Sequence, residues 1–217
     1  IRSGSYEVRS LVYRPFDTRY TALTEKSGGF LGRPRYDVMK HIAEDDFSLV
    51  VNKKHVGDYF SHVSVARSLV AHGVHYLGNR GQDFACPLYL KANEVEETRQ
   101  SNLNPALFSE LIEKSTHPDH GEPDEIAVFD YIYGVLHSPD YRETFAEFLK
   151  IDFPRIPWPA SPDVFWHVRE KGEALRRGWS GFRARPMMGL FFANVAVMGG
   201  WLIYLMLFLW HMEWLAI

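Results

Sequence analysis

Residues 102–136 read NLNPALFSELIEKSTHPDHGEPDEIAVFDYIYGVL, and in this part of the chain the hydrophobic pattern becomes helical. Asn104 followed by Pro105 is a helix start, with Asn104 as N-cap and Pro105 at the first helical position, and the helix is predicted to run to about Lys114. THPDHGEP follows as a polar loop. Asp124 caps a second helix to about Leu136, along which Ile126, Phe129, Ile132, Tyr133 and Leu136 share one face. Ser138-Pro139 opens the next helix, to about Leu149. FPRIPWP (153–159) is an extended connection, and Ser161-Pro162 starts a helix that reaches Arg177.

Upstream of Lys91 the pattern is that of strands. YEVRSLVYRPFDTRYTALT (6–24) is rich in Val, Tyr, Phe and Thr and broken at Pro15, which predicts two strands around a turn. Ser27-Gly28-Gly29 is a loop. PRYDVMKHIAE (34–44) opens on Pro and predicts a short helix. Strands follow at Phe47–Val51, Ser61–Ala71 and Phe84–Leu90, the last at a sheet edge because Pro87 lacks an amide proton. The fold class is therefore α+β, a β-rich N-terminal half and a helical C-terminal half, followed by a long apolar C-terminal helix. The expected divisions are 1–91 (β-rich), 92–177 (helical) and 178–217 (basic linker and apolar helix).

The composition excludes several classes. Of the 217 residues 46% are hydrophobic and 24% charged, so a disordered or collagen-like chain is ruled out. Cys86 is the single cysteine, which excludes an intramolecular disulfide framework. The net charge of −3 argues against a uniformly basic coat, but its distribution is uneven. Residues 1–90 hold 12 Lys/Arg against 9 Asp/Glu, whereas residues 91–155 hold 6 against 14. A basic front can still present one positive face to a polyanion.

Met187 to Trp210 is a run of 24 residues without a charge. As a helix it would span roughly 36 Å, enough to cross a hydrocarbon core of about 30 Å. Arg176, Arg177, Arg183 and Arg185 precede it, which would set its N-terminal side in the cytoplasm. The alternatives are a buried core helix or a tail foreign to the upstream domain.

No established catalytic motif is present. GxxxxGK[ST], a strand–GxGxxG–helix unit and GxSxG are all absent from the sequence. His72 and His75, and His117, Asp119 and His120, have no partner cluster that would complete a metal site, and solvated or capping roles are expected of them. Cys86 in an apolar strand reads as a buried structural thiol. Glu94, Glu96 and Glu97 read as a solvated charge run. What remains is the basic front. Arg33, Arg35 and Lys40 flank the short helix, and Lys53 and Lys54 end a strand. Arg67, Asn79, Arg80 and Gln82 lie on or beside later strands and a loop. Lys and Arg neutralise phosphates, while Arg, Asn and Gln hydrogen-bond base edges in pairs. These nine residues are the candidate DNA contacts, the alternative being that scattered basic groups on a mixed surface serve solubility alone; no catalytic or metal-binding residue is assigned.

Several ordered stretches resemble one family: YRPFDTRY (13–20), GRPRYDVMKH (32–41), CPLYL (86–90), NLNP (102–105), YIYGVLHSP (131–139), Tyr141-Arg142 and FLKIDFPRIP (148–157). Together they are similar to the C-terminal specificity domain of the Type ISP restriction-modification enzymes and their DNA adenine N6-methyltransferase relatives. The resemblance covers roughly residues 6–177. It implies a module that recognises double-stranded DNA in the cytoplasm, attached in the parent polypeptide to methyltransferase, motor and nuclease domains. It also implies S-adenosylmethionine, ATP and Mg2+ for that parent and none for this chain. The Asn-Pro-Pro-Tyr type motif of the methyltransferase is missing, and Asn104-Pro105-Ala106 does not replace it, so no methyl transfer is expected here. The apolar run leaves a second expectation, a tail-anchored membrane protein with a cytoplasmic protein-binding domain. Tyr131, Tyr133 and Leu136 are expected in the core, and Asp17 in an ion pair that fixes the first turn.

Overall fold

The computed structural model describes residues 6–15, 17–28, 30–42, 46–53, 60, 63–75, 83–91 and 99–181. The apolar run 187–210, Lys54, Asn79, Arg80, Gln82 and the glutamates at 94–97 lie outside the described residues. Among the described residues no helix is long and apolar enough to cross a membrane.

The first half is built of strands. β1 (Glu7–Arg14) and β2 (Asp17–Leu23) form the expected hairpin, and β1 also pairs in parallel with β5 (Leu69–Val70), giving a sheet in the order β2-β1-β5. A second sheet is ordered β4-β3-β6, from β3 (Ser48–Asn52), β4 (Val63–Ala66) and β6 (Asp83–Pro87). Pro87 thus sits on an edge strand, as its missing amide requires. The stretch expected to form one strand over 61–71 is two, because Arg67-Ser68 bends the chain from one sheet into the other. β7 (Tyr89–Leu90) and β8 (Gln100–Ser101) make a separate two-stranded ribbon.

The helix predicted over 34–44 is a single turn, α1 (Tyr36–Met39). Arg35 before it takes the left-handed conformation at φ 48°, so the Pro34-Arg35 pair turns the chain and does not start the helix. α2 (Pro105–Ser115) and α3 (Glu125–His137) begin at the expected caps. Asn104 Oδ1 accepts from the amides of Ala106 and Leu107, and Asp124 Oδ1 from that of Ala127. The helix predicted from Ser138 to Leu149 is interrupted at Phe145 into α4 (Pro139–Thr144) and α5 (Ala146–Leu149). α6 (Pro162–Gly181) completes the described chain.

β3 is shared by the two cores of residues 6–181. Val51, Val63 and Val65 face one core, shared with Leu111, Phe129, Leu136 and Phe165 of the helices. Val50 and Ala66 face the other, shared with Leu23, Ile42, Leu69 and Val70. The order is thus hairpin sheet, central sheet, helical layer. α3 is buried on nearly every side, not only along the face anticipated, because it lies between the central sheet and α6. Tyr131, Tyr133 and Leu136 are in the core as expected. Burial drives both tyrosine hydroxyls up to about 12, and Tyr131 Oη donates to the Pro157 carbonyl.

α3 and α6 touch through their backbones at Gly134 and Gly172. A Cβ on Gly172 would stand 1.8 Å from the Asp130 carbonyl oxygen, and one on Gly134 2.5 Å from that of Val168. Beside this contact Arg176 donates through Nε and Nη2 to the two oxygens of the fully buried Asp130 at 2.5 and 2.8 Å. The same guanidinium lies 4.5 Å above the Phe47 ring, so one side chain ties α6 to α3 and to the start of β3.

Candidate nucleic-acid interface

Alternation along β1 and β2 separates the hairpin into two faces. Leu11, Leu23 and Thr21 point inward, and Arg9 on the same face donates to the Ile42 carbonyl. The other rows are Val8 and Ser10 opposite Ala22 and Tyr20, and Val12 opposite Thr18, where Val12 packs against the inner core as Leu11 does. Tyr20 is 79% exposed and Val8 63%. The register shifts between Val12 and Arg14, and this bulge re-aims the residues next to the turn. Arg14 and Arg19 both stack on Tyr13, their guanidinium carbons 4.2 and 3.8 Å from its ring centroid. Asp17 pairs with Arg19 at 2.9 Å, the role expected of it, and that hydrogen bond raises the arginine's pKa.

The predicted contacts do not form one cluster. Arg33 and Arg35 are exposed and Lys40 half-buried, all within the connection that carries α1, whose Leu31, Tyr36 and Met39 pack on the inner core. α1 itself has four residues, Tyr36–Met39. Lys53 is exposed beyond β3, its Nζ 5.6 Å from the Phe153 centroid. Arg67 is half-buried, with its guanidinium 5.0 Å above Phe47. Ser48 pairs with Ala66 and Val51 with Val63, which puts Arg67 and Lys53 at opposite ends of the central sheet. At about 3.4 Å per residue those ends are roughly 20 Å apart.

His72 is exposed, as expected of it, but His75 departs from expectation. His75 is buried, with its Nδ1 2.9 Å from Asp83 Oδ1 and its Nε2 2.8 Å from Ser64 Oγ. Asp83 also accepts from the His75 amide and from Asn52 Nδ2. This Ser–His–Asp line has the connectivity of a nucleophilic triad, but Ser64 is only 4% exposed. Sequence spacing hid it, because it joins β4, β6 and the turn after β5. His117 accepts at Nδ1 from the Asp119 amide and faces Asp163 of α6 through Nε2, while His120 stacks on Trp166. The loop is thus pinned to α6. Among the described residues no three His, Cys, Asp or Glu side chains form a group that could hold a metal ion. Cys86 is exposed, not buried, because β6 is an edge strand; nearby protein still raises its thiol pKa by desolvation.

The sequence matches the Type ISP C-terminal specificity domain family over residues 2–181. No curated protein matches it. Among solved structures the fold is similar to one described as the DrdV–DNA complex, with a TM-score of 0.62, 21% identity, and coverage of 78% of this chain and 15% of that one. It is also similar to the ATP-dependent Type ISP restriction-modification enzyme LlaBIII bound to DNA, at a TM-score of 0.58, 18% identity, and coverage of 82% and 11%. This chain therefore spans a small part of either of those longer ones. With a match that takes in all three described sheets and all six described helices, the chain belongs to the Type ISP C-terminal specificity domain family.

Proposed function

We propose that residues 6–181 recognise a target in double-stranded DNA as the specificity module of a restriction-modification adenine methyltransferase. The observation that carries this reading is the family match over residues 2–181. It is supported by two solved structures of similar fold whose descriptions include DNA. In this reading Arg33, Arg35, Lys40 and Lys53 neutralise phosphates. Lys54, Asn79, Arg80 and Gln82 complete the proposed set, and Arg67, half-buried, lies over Phe47.

The chain itself is assigned no catalytic step. Methyl transfer, DNA translocation and cleavage belong to the methyltransferase, motor and nuclease domains of a parent polypeptide. S-adenosylmethionine, ATP and Mg2+ are proposed for that parent alone. Its methyltransferase would flip the target adenine while this module holds the duplex in register. A cytoplasmic location goes with this reading. Bilayer anchoring through 187–210 rests on hydropathy alone and takes no part in it.

The test is titration of the 217-residue chain against duplex DNA at several salt concentrations. Each phosphate neutralised contributes a slope of about −0.9 in log K against log salt. Replacing both Arg33 and Arg35 by Gln is expected to shorten the slope by about 2. Absence of duplex binding at low salt, or binding indifferent to salt, rejects the reading.

A further inference from the structure

Outside the strands, one hydrogen bond ties the two apolar interiors together. Ile42, 1% exposed, ends the connection that carries α1 and packs in the interior of Leu23 and Leu69. Leu88 and Tyr89 pack in the other, with Phe129 and Leu136. Between these anchors the Lys91 backbone N–H donates to His41 Nδ1 at 2.9 Å, across 50 residues of sequence.

This bond demands one protonation state. A ring nitrogen that accepts carries no proton, so His41 is neutral with its proton on Nε2. A second proton enters at Nδ1, where it abolishes the acceptor and sets two N–H donors against each other. His41 differs in this from His117, whose Nδ1 also accepts an amide but whose Nε2 faces the Asp163 carboxylate. The charges acting on His41 are both positive, Lys40 beside it and Lys91 across the contact. Burial first, then these two cations, hold its pKa below the usual 6.5. Of the other charged groups on the neighbouring elements, Arg9 pairs with Glu7 and donates to the Ile42 carbonyl, and Asp46 pairs with Arg99. Arg33, Arg35 and Asp37 lie exposed around α1.

We propose that His41 is a pH-sensitive latch, whose neutral ring holds the end of β7 to the α1 connection and whose imidazolium releases it. On release the Lys91 N–H turns to water, and the like charges of Lys40, His41 and Lys91 move apart. The folded pKa is depressed, so the latch contributes fully above pH 6.5 and is lost as the pH falls through the lowered value. The ribbon itself stays in place. Leu88 N–H donates to the Phe47 carbonyl, and Asn102 Nδ2 to that of Pro87, both at 2.9 Å and neither through a titrating group. The inference is independent of the DNA-recognition reading, and no DNA enters its test.

The experiment is NMR on the full 217-residue chain from about pH 7.5 to pH 5. With 15N-labelled histidine, the His41 ring at the upper end should show a bare Nδ1 and a protonated Nε2. The Lys91 amide, corrected for the intrinsic pH dependence of exchange, should lose protection by about five- to ten-fold as that ring titrates. The Leu88 and Asn102 amides should keep theirs. His41→Asn offers an Oδ1 acceptor near the place of Nδ1 and does not titrate, so Lys91 should stay protected at both ends of the range. His41→Ala should leave Lys91 unprotected throughout. A ring protonated at Nδ1 at pH 7.5, Lys91 protection unchanged while the ring titrates, or an equal pH response in the Asn variant each overturns the latch. Should His41→Ala fold poorly, the comparison of wild type with His41→Asn decides alone.

Discussion

Gly172 of α6 lies against Asp130 of α3 so closely that a Cβ at Gly172 would stand 1.8 Å from the Asp130 carbonyl oxygen. The obstructing atom belongs to backbone and cannot swing aside. Gly172→Ala must therefore part the two helices, and we expect it to lower stability by about 3 kcal/mol in urea denaturation. Gly178→Ala, in the same helix with no atom within 4 Å of its Cβ position, is the control. It is expected to be neutral or to stabilise by up to about 1 kcal/mol.

The Asp130–Arg176 pair is bidentate and inaccessible to water at the carboxylate. Asp130→Ala leaves a guanidinium without its charge partner, and the expected loss is about 3–5 kcal/mol. Converting the pair together, Asp130→Leu with Arg176→Met, should recover more than half of that. Equal losses for the single and the double variant would show that the charges do not interact.

His137 gives the fold a pH dependence with a definite sign. Its Nδ1 faces Arg142 Nη2 at 3.1 Å, and burial first, then the Arg142 charge, lowers its pKa to about 4 from the usual 6.5. The unfolded chain then binds the extra proton more readily than the folded one between those values. Stability is full above pH 6.5 and falls as the pH drops toward 4, by about 1–2 kcal/mol once the ring's partial exposure is allowed for. Urea midpoints at pH 7 and pH 4.5 check this. His137→Gln should flatten that part of the profile.

Ser64, His75 and Asp83 connect as a nucleophilic triad does, yet 4% exposure of Ser64 leaves no route for a substrate. A fluorophosphonate probe is therefore expected to leave Ser64 unlabelled in the native chain, as read by mass spectrometry. Asp83→Ala removes an acceptor shared by His75 and Asn52, with an expected loss of about 2–3 kcal/mol.

Much of this architecture was legible in the sequence because local chemistry sets it. Asn104, Asp124, Ser138 and Ser161 cap helices through their own side chains, and Pro15 and Pro87 mark a turn and an edge. What escaped was set by partners far along the chain. α3 shows one apolar face in isolation, and only its place beneath the central sheet explains burial of the remainder. Gly134 and Gly172 read as incidental until the helices they bring together are known. His75 was expected in a solvated or capping role, whereas it is held by Ser64 and Asp83, eleven and eight residues away. The candidate contacts fared likewise: residue type identified basic groups, but not that strand register would draw Lys53 and Arg67 apart.

β3 places Val50 in one apolar interior and Val51 in the other, so a single five-residue strand is common property of both. Melting either interior strips that strand of half its packing and exposes the other. Heat should accordingly dismantle residues 6–181 in one calorimetric peak, and partial loosening confined to the hairpin side would carry its own penalty in the helices.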